Sequence, residues 1–384
     1  MKKDNKRKAI FGTSEVVFLV VITCVLSFAM AMLICNKGNS TSTILMQNDG
    51  EIGRFVEQYN NIVDNYYKPL DKDELIDNAI RGMVESLDDP YAAYYDEEEA
   101  KNLNIRLNGT FEGIGVEILK LSAGTMLVVN VYEDSPAAVA GIKAGDEIYY
   151  INKTSVTEIT TTKFSEIVMS DKENTITVKR NNEMLDFKVT KGNVTIQSVY
   201  SEIIEDKIGY MKINIFALNT YSQVRKHLEN LREQGIESLI IDLRDNSGGH
   251  LSAATDILSL FLSKQKVMYQ TRTSTMIEKF YSEGTEDFRL PIVVLVNSNS
   301  ASASEIVTAA LKENLGAIVI GKTTVGKGTA QRLVTLTTGQ QFKFTISEWL
   351  TPKGNTINGI GIKPDIEESD EGLFIARAVE YLSE

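Results

Sequence analysis

The spacing of apolar positions changes along the chain and divides it into segments. An uninterrupted apolar run occupies residues 16–35, which carry no charge. Apolar residues then recur every three or four positions through residues 52–66 and 75–87, a spacing that predicts two amphipathic helices. From about residue 107, short segments separated by glycine turns predict strands. From about residue 205, strand-like and helix-like segments alternate, which predicts an α/β domain after the β-rich one.

The predicted elements give domain boundaries. Strands are predicted at residues 126–132, 147–151, 175–179, 186–190, 209–213, 238–243, 292–296 and 317–320, and helices at 162–169, 222–232, 251–262 and 302–313. We therefore expect a basic tail and membrane anchor (1–35), a polar linker (36–50), a helical arm (51–106), a β-rich domain (107–195) and an α/β core (196–384). A chain of 384 residues has room for two or three globular domains.

The apolar run near the amino terminus predicts a membrane anchor. Its 20 residues match the thickness of a bilayer, and the first 15 residues hold five basic and two acidic side chains, which should stay in the cytoplasm. The remainder of the chain would then lie outside the cytoplasm. The alternative is secretion after signal cleavage, because Ala29-Met30-Ala31 has the form of a cleavage site. Both cysteines lie in this run, so the remainder has no internal disulfide.

Composition removes several classes of function. The net charge of −12 argues against a dedicated nucleic-acid binder. Two histidines and two cysteines leave almost no ligands for a zinc site, so no metal is expected. The two amphipathic helices at residues 52–66 and 75–87 need a surface to cover their apolar faces. The sequence leaves open whether that surface belongs to the same chain or to a second copy in a homodimer.

A glycine-rich segment marks the start of the β-rich domain. Residues 113–116 read G-I-G-V, S-P-A-A begins at Ser135, and A-G-D-E-I follows Gly141 at residues 144–148. These motifs resemble a PDZ domain, in the permuted form found in exported bacterial proteases. The resemblance implies a ligand with a free C-terminus, bound near Gly113, Ile114, Gly115 and Val116, with the peptide added as a strand. The alternative is a tight corner in another small β fold.

Three segments of the α/β part carry candidate chemistry. They read L-R-D-N-S-G-G (243–249), N-S-N-S-A-S-A-S-E (297–305) and G-K-T-T-V-G-K-G-T-A-Q (321–331). A serine at the first turn of a helix lies beside unpaired N–H groups that favour an oxyanion, and paired glycines can bring further N–H groups close. A lysine can act as the base for a serine when burial lowers its pKa from about 10.4 toward 7–8.

The same residues closely resemble the C-terminal processing peptidases, serine proteases whose pattern is S-A-S-A-S-E followed by G-K-G-T-x-Q. The resemblance covers about residues 50–384, including S-L-D-D-P-Y at residues 86–91. It implies an α+β multidomain chain with a core of the ClpP/crotonase-like class, protein or peptide substrates with accessible C-termini, and no cofactor. It implies that Ser302 is the nucleophile, Lys327 the general base and Gln331 the group that positions the lysine. The N–H groups of Gly248 and Ala303 would form the oxyanion hole.

Without the family resemblance, the neighbouring residues allow other candidates for the nucleophile, the base and the kind of site. Ser300 or Ser304 could be the nucleophile, and His250, which follows the paired glycines, could suggest a serine–histidine pair; His227 falls on a charged helix. Residues 321–327 also match the start of a phosphate-binding loop, although Gly328 stands where a magnesium-binding serine or threonine belongs. A membrane-tethered PDZ scaffold without activity is the third alternative.

Overall fold

The computed structural model describes residues 50–384. The predicted anchor at residues 16–35 and nearly all of the linker therefore lie outside the described residues. Within residues 50–384 we find no helix whose length and hydropathy would let it cross a bilayer. The chain divides into two compact units, one ending at Ala79 and the other running from Ile80 to Glu384.

The first described elements are helical. They are α1 (Glu51–Asn65), α2 (Lys72–Glu85), the short strand β1 (Ala93–Tyr95) and α3 (Glu97–Asn108). Helix α2 starts three residues before the predicted segment 75–87, because Asp71 Oδ1 accepts the N–H groups of Asp73 and Glu74 at 3.0 and 3.1 Å. Helix α3 was not predicted from apolar spacing. A capping box formed by Asp96 and Glu99 fixes its first turn instead.

The β-rich part folds around one sheet. Its elements are β2 (Thr110–Gly113), β3 (Val116–Lys120), β4 (Met126–Val131), α4 (Pro136–Ala140), β5 (Glu147–Ile151), β6 (Thr154–Ser155), α5 (Thr161–Ser170), β7 (Glu173–Arg180), β8 (Glu183–Thr190) and β9 (Gly192–Thr195). The sheet order is β3-β4-β5-β7-β8 with β6 beside β5, while β2 pairs with β9. Apolar side chains from the sheet and α5, among them Met126, Ile148 and Phe164, form a separate core.

The α/β part contains a second six-stranded sheet in the order β10-β11-β12-β15-β16-β19. The elements are β10 (Val199–Ile204), β11 (Ile208–Ile213), α6 (Thr220–Glu233), β12 (Ser238–Asp242), α7 (Leu251–Leu258), β13 (Val267–Arg272), β14 (Ile277–Tyr281), β15 (Ile292–Val296), α8 (Ala303–Leu315), β16 (Ile318–Gly321), β17 (Thr329–Thr335), β18 (Gln341–Leu350), β19 (Ile366–Glu367) and α9 (Phe374–Ser383). Strands β11, β12, β15, β16 and β19 run parallel. Their carboxyl ends share one edge, where an α/β sheet places its site.

A third sheet was not predicted from the sequence. Strand β18 pairs with β1 through residues 341–343, with β17 through residues 341–348 and with β13 through its last three residues, and β14 pairs with β13. Because β1 comes from the segment after α2, this sheet joins residues about 250 positions apart, for example Ala93 opposite Lys343. Because β1 and β17 both pair with β18, the turn that precedes β1 lies close to the start of β17.

Candidate active site

Ser302 occupies a strained turn between β15 and α8. It is the N-cap residue of α8, with φ 56° and ψ −115°, a conformation that costs a non-glycine residue of order 1–3 kcal/mol. Such strain is typical of a nucleophile held out of line with the strand and helix around it. The position also lies at the positive end of the helix dipole. The side chain of Ser302 is partly exposed.

The two neighbouring serines have structural partners. The hydroxyl of Ser300 donates to the carbonyl of Leu243 at 2.8 Å, and the hydroxyl of Ser304 donates to the carbonyl of Asn246 at 2.8 Å. Both side chains are fully buried. Their hydroxyls tie the turn before α8 to the segment after β12. This geometry favours Ser302 among the three serines.

Glu305 links the serine turn to the lysine segment. Its Oε2 atom accepts the N–H groups of Ser302 at 2.7 Å and Lys327 at 3.0 Å. Its Oε1 atom accepts the Thr324 hydroxyl at 2.5 Å and the Gly326 N–H at 2.7 Å. Burial raises the pKa of this fully buried carboxyl, and the four hydrogen bonds oppose the rise. The contact between Glu305 and Lys327 was not predicted from the sequence.

Lys327 lies in a partly desolvated position. Burial lowers the pKa of its ammonium, and the nearby charge of Lys343 lowers it further, while Asp89 and Glu305 raise it. The net direction is downward, as a general base requires. The Nζ atom lies 4.7 Å from the centre of the Tyr91 ring. In the part of the chain that the structure describes, the hydrogen bonds of Lys327 are made by its backbone alone.

Gln331 is on strand β17, next to a bulge between Ala330 and Gln331. Its side-chain nitrogen donates to the hydroxyls of Thr329 at 2.8 Å and Thr345 at 3.2 Å. The structure therefore places Gln331 in the strand that begins just after Lys327. It does not show the amide in a hydrogen bond with the Lys327 amine, which the resemblance implies. The two threonine hydroxyls compete for the amide.

The segment with paired glycines lies against the serine turn. A Cβ atom at Gly248 would fall 2.9 Å from Ser302 Cβ and 3.1 Å from Ala303 N, so only glycine fits there, at φ 105°. The Gly248 N–H donates to Asn246 Oδ1 at 2.9 Å. Gly248, the expected oxyanion donor, thus lies against Ser302, but its N–H has an internal acceptor. A rotation of the Ser247–Gly248 peptide is needed to aim this N–H at a substrate.

The alternatives based on histidine and phosphate find little support in the geometry. His227 Nδ1 is hydrogen-bonded to the Ser201 hydroxyl at 2.7 Å, far along the sequence from the serine turn. Burial lowers the pKa of His250, whose Nε2 atom is buried without a hydrogen-bond partner within the described residues. The backbone N–H groups of Gly326 and Lys327 bind the Glu305 carboxylate, which occupies the place a phosphate would need.

The predicted peptide site lies at one edge of the β-rich sheet. Strand β3 pairs with β4 on one side and, among the described residues, with no strand on the other. Ile114 is buried in the core, while Val116 packs against it from a partly exposed position. Gly115 has φ 83°, and a Cβ atom there would fall 2.2 Å from Ser135 Cβ. The sharp turn before β3 therefore requires glycine at position 115.

Comparison with known proteins identifies the class. Three family models match: the activating protease CtpB N-terminal domain at residues 28–99, the PDZ domain at 113–190 and peptidase family S41 at 207–368. The chain is a serine-type peptidase with a PDZ domain, as the sequence motifs predicted.

The relatives specify the family. Carboxy-terminal processing protease CtpA of Bacillus subtilis (strain 168) is 34% identical over 91% of this chain and 76% of its own length. Carboxy-terminal processing protease CtpB of the same strain is 32% identical over 86% of this chain and 70% of its own length. A solved photosystem II D1 C-terminal processing protease is 26% identical, with a TM-score of 0.48, over 85% of this chain and 89% of that one. The two Bacillus subtilis relatives show that the chain belongs to the carboxy-terminal processing proteases of peptidase family S41.

Proposed function

We propose that the protein is a membrane-anchored serine endopeptidase that works outside the cytoplasm through a Ser302–Lys327 dyad. The observation that carries the dyad is the Glu305 carboxylate, which accepts the N–H groups of both residues on one oxygen atom. The lowered pKa of Lys327 supports its role as the base. A lysine base also agrees with a chain that has only two histidines.

The reaction has two acyl-transfer steps. Ser302 Oγ attacks the scissile carbonyl carbon while Lys327 Nζ takes the hydroxyl proton, and the N–H groups of Ala303 and a rotated Gly248 receive the oxyanion. The C–N bond breaks as the lysine gives its proton to the leaving amine, which leaves an acyl-enzyme. Water then attacks the ester and gives a proton to Lys327. The ester C–O bond breaks, and the proton returns to Ser302.

Gln331 has the role of orienting the lysine amine in the working enzyme. Its amide would leave the hydroxyls of Thr329 and Thr345 and accept from Lys327 through its oxygen. Only three residues separate Lys327 from Gln331 in the sequence, so the two side chains belong to one short segment. Substrate bound beside β17 would favour it.

The PDZ domain has the role of recognising substrate C-termini. The open edge of β3 can accept a peptide strand, and the turn at Gly113, Ile114 and Gly115 precedes that edge. Val116 and α5 would contact the last apolar side chain. Binding is tested with an inactive Ser302→Ala protein: a peptide with a free carboxyl terminus should bind at least tenfold more tightly than its C-terminal amide. Equal binding of the two peptides would refute this role.

The anchor and the homodimer belong to the same proposal. Residues 16–35 would hold the protein in the membrane with a cytoplasmic amino terminus. Helix α1 has an amphipathic sequence, yet Ile52, Phe55, Val56 and Ile62 are 42–65% exposed. A second copy would cover this face. The anchor is tested by expressing the full chain and residues 36–384 and comparing their recovery from membranes after an alkaline carbonate wash.

Cleavage is tested with matched substitutions in the full chain. Ser302→Ala and Lys327→Ala should each abolish cleavage of an unfolded protein with a free C-terminus. The controls are Ser298→Ala, an exposed serine in the same turn, and Lys322→Ala, a lysine in the same loop as Lys327. Both controls should stay active. Full activity of Ser302→Ala, or its loss only in Ser300→Ala, would place the nucleophile elsewhere.

A further inference from the structure

The turn at residues 86–91, S-L-D-D-P-Y, has no part in the dyad described above. It joins α2 to β1, and β1 is held in register against β18. This pairing brings the turn next to the lysine segment. The Tyr91 ring faces the Lys327 ammonium, with 4.7 Å between Nζ and the ring centre, which is within the range of a cation–π interaction.

Asp89 fixes the orientation of Tyr91. Its Oδ1 atom accepts the Tyr91 N–H at 3.0 Å, and its Oδ2 atom accepts the Thr345 N–H of β18 at 3.2 Å. The Ala92 N–H also donates to the Asp89 carbonyl at 3.0 Å. One partly buried carboxylate therefore attaches the turn to the same strand that receives the Gln331 amide through Thr345.

The charged groups around Lys327 come from three other elements. Asp89 lies in the turn, Glu305 on α8 and Lys343 on β18. The Lys343 ammonium is itself engaged, since it donates to the Tyr95 hydroxyl at 3.0 Å. Glu305 is occupied by four backbone and hydroxyl donors. Within the described residues, the Lys327 ammonium therefore contacts the aromatic face of Tyr91 and makes no side-chain hydrogen bond.

We propose that Tyr91 is a positioning residue for Lys327: its ring holds the protonated amine in the free enzyme and releases it when the amine loses its proton. This inference rests on the proposed role of Lys327 as the base. An aromatic face attracts an ammonium and not a neutral amine. Proton loss would therefore free the lysine side chain to move toward the serine hydroxyl and the Gln331 amide.

The pH dependence of kcat/KM tests this role, because it reports the ionisation of the free enzyme. Tyr91→Leu keeps an apolar wall but removes the ring. The rising limb of its pH profile should move about half to one and a half pH units lower. At pH values below the wild-type limb, kcat/KM of the variant should therefore be about 3- to 30-fold higher than that of wild type. Tyr91→Phe keeps the ring and should keep the wild-type limb.

Two further variants support the comparison. Tyr95→Leu removes the equivalent ring beside Lys343, at 5.5 Å from that ammonium, and should leave the limb near its wild-type position. Asp89→Asn removes a charge that favours the ammonium and should move the limb in the same direction as Tyr91→Leu. Tyr91→Met, which also removes the ring, serves if Tyr91→Leu does not fold, as judged by circular dichroism.

A second readout does not depend on cleavage. In the inactive Ser302→Ala background, the rate at which acetic anhydride labels Lys327 at a fixed pH below its pKa should rise severalfold with Tyr91→Leu and stay unchanged with Tyr91→Phe. An unshifted pH limb and unchanged labelling in a folded variant without the Tyr91 ring would overturn the inference. Retained activity in Lys327→Ala would instead overturn the dyad, so the two failures are distinguishable.

Discussion

The Oε2 atom of Glu305 accepts the backbone N–H of Ser302 and the backbone N–H of Lys327, at 2.7 and 3.0 Å. One buried carboxylate oxygen thereby sets the separation of two segments that are 25 positions apart in sequence. A second oxygen accepts from Thr324 and Gly326, so the lysine loop is bound at three points. The proposed dyad depends on this internal support because neither side chain of the dyad is bound to the other.

Glu305→Gln should reduce kcat at least tenfold with a smaller change in KM. The amide nitrogen replaces one of the two acceptor oxygens, so it faces either the N–H groups of Ser302 and Lys327 or the N–H of Gly326 and the hydroxyl of Thr324, and that part of the support is lost. Steady-state kinetics with a fluorogenic peptide measures the effect. Glu229→Gln on the exposed face of α6 is the control and should behave as wild type. Wild-type kcat in Glu305→Gln would show that the carboxylate is not needed to hold the site.

Asn246→Ala should destabilise the protein by about 1–3 kcal/mol and reduce kcat. The fully buried side chain donates to the Ile213 carbonyl at 2.8 Å and accepts the Gly248 N–H at 2.9 Å. Its removal leaves both groups unpaired, and the segment beside Ser302 loses the hydrogen bonds that hold it against β11. Urea unfolding and steady-state kinetics measure the two effects. A variant with unchanged stability would contradict the role of Asn246 as a buried support.

Arg180→Leu should destabilise the PDZ domain by about 3 kcal/mol. Asp146 is 1% exposed at its side chain and is held by Arg180 Nε and Nη2, each at 2.6 Å. Removing the guanidinium leaves a buried carboxylate without its ionic partner. Thermal unfolding followed by circular dichroism measures the loss. Lys188→Leu, a lysine on the neighbouring strand β8, is the control for loss of a positive charge and should be near neutral.

The same pair predicts a pH dependence. Burial raises the pKa of Asp146, but the hydrogen bonds from Arg180 and the Lys143 N–H outweigh this, and the net pKa is lowered. Because the folded value lies below the unfolded value of about 4, the stabilisation is present above pH 4 and is lost as the pH falls through the folded pKa. Arg180→Leu should therefore flatten the acid limb of stability against pH. An acid limb parallel to that of wild type would exclude this pair as its source.

Phe55→Glu should convert the proposed dimer into monomers. Phe55 is 42% exposed on the apolar face of α1, where a buried charge would oppose association. Gln58→Glu introduces the same charge at another exposed position of that helix and serves as the control. Sedimentation velocity of the full chain in detergent distinguishes the species. A wild-type protein that sediments as a monomer would refute the dimer directly.

Much of the fold follows from local pattern. The strands at residues 147–151 and 292–296 have the predicted bounds, and the helices α1, α2, α5 and α8 differ from prediction by one or two residues at most ends. Their apolar spacing and capping residues act over a few positions, which a sequence displays directly. The sheet formed by β1, β18 and β13 was missed, because its pairing joins distant segments and its strands are only partly buried.

The site residues were readable as a motif, but their contacts were not. Ser302, Lys327 and Gln331 were assigned through their resemblance to the family motif, and the strained turn at Ser302 agrees with a nucleophile. The internal hydrogen bond of Gly248 could not be foreseen, since it depends on the rotation of one glycine peptide. The position of Tyr91 was equally hidden, because it depends on the register of β1 against β18.

The long strand β18 has a consequence for when the enzyme can become active. It is the shared partner of β1 and β17, so the wall beside Lys327 closes only after residues 341–350 have been synthesised. Ser302 and Lys327 are both made before that point. A nascent or truncated chain that ends before β18 would carry the proposed nucleophile and base without the sheet that orders the lysine segment. The topology thus delays proteolytic competence until strand β18 has been added to the chain.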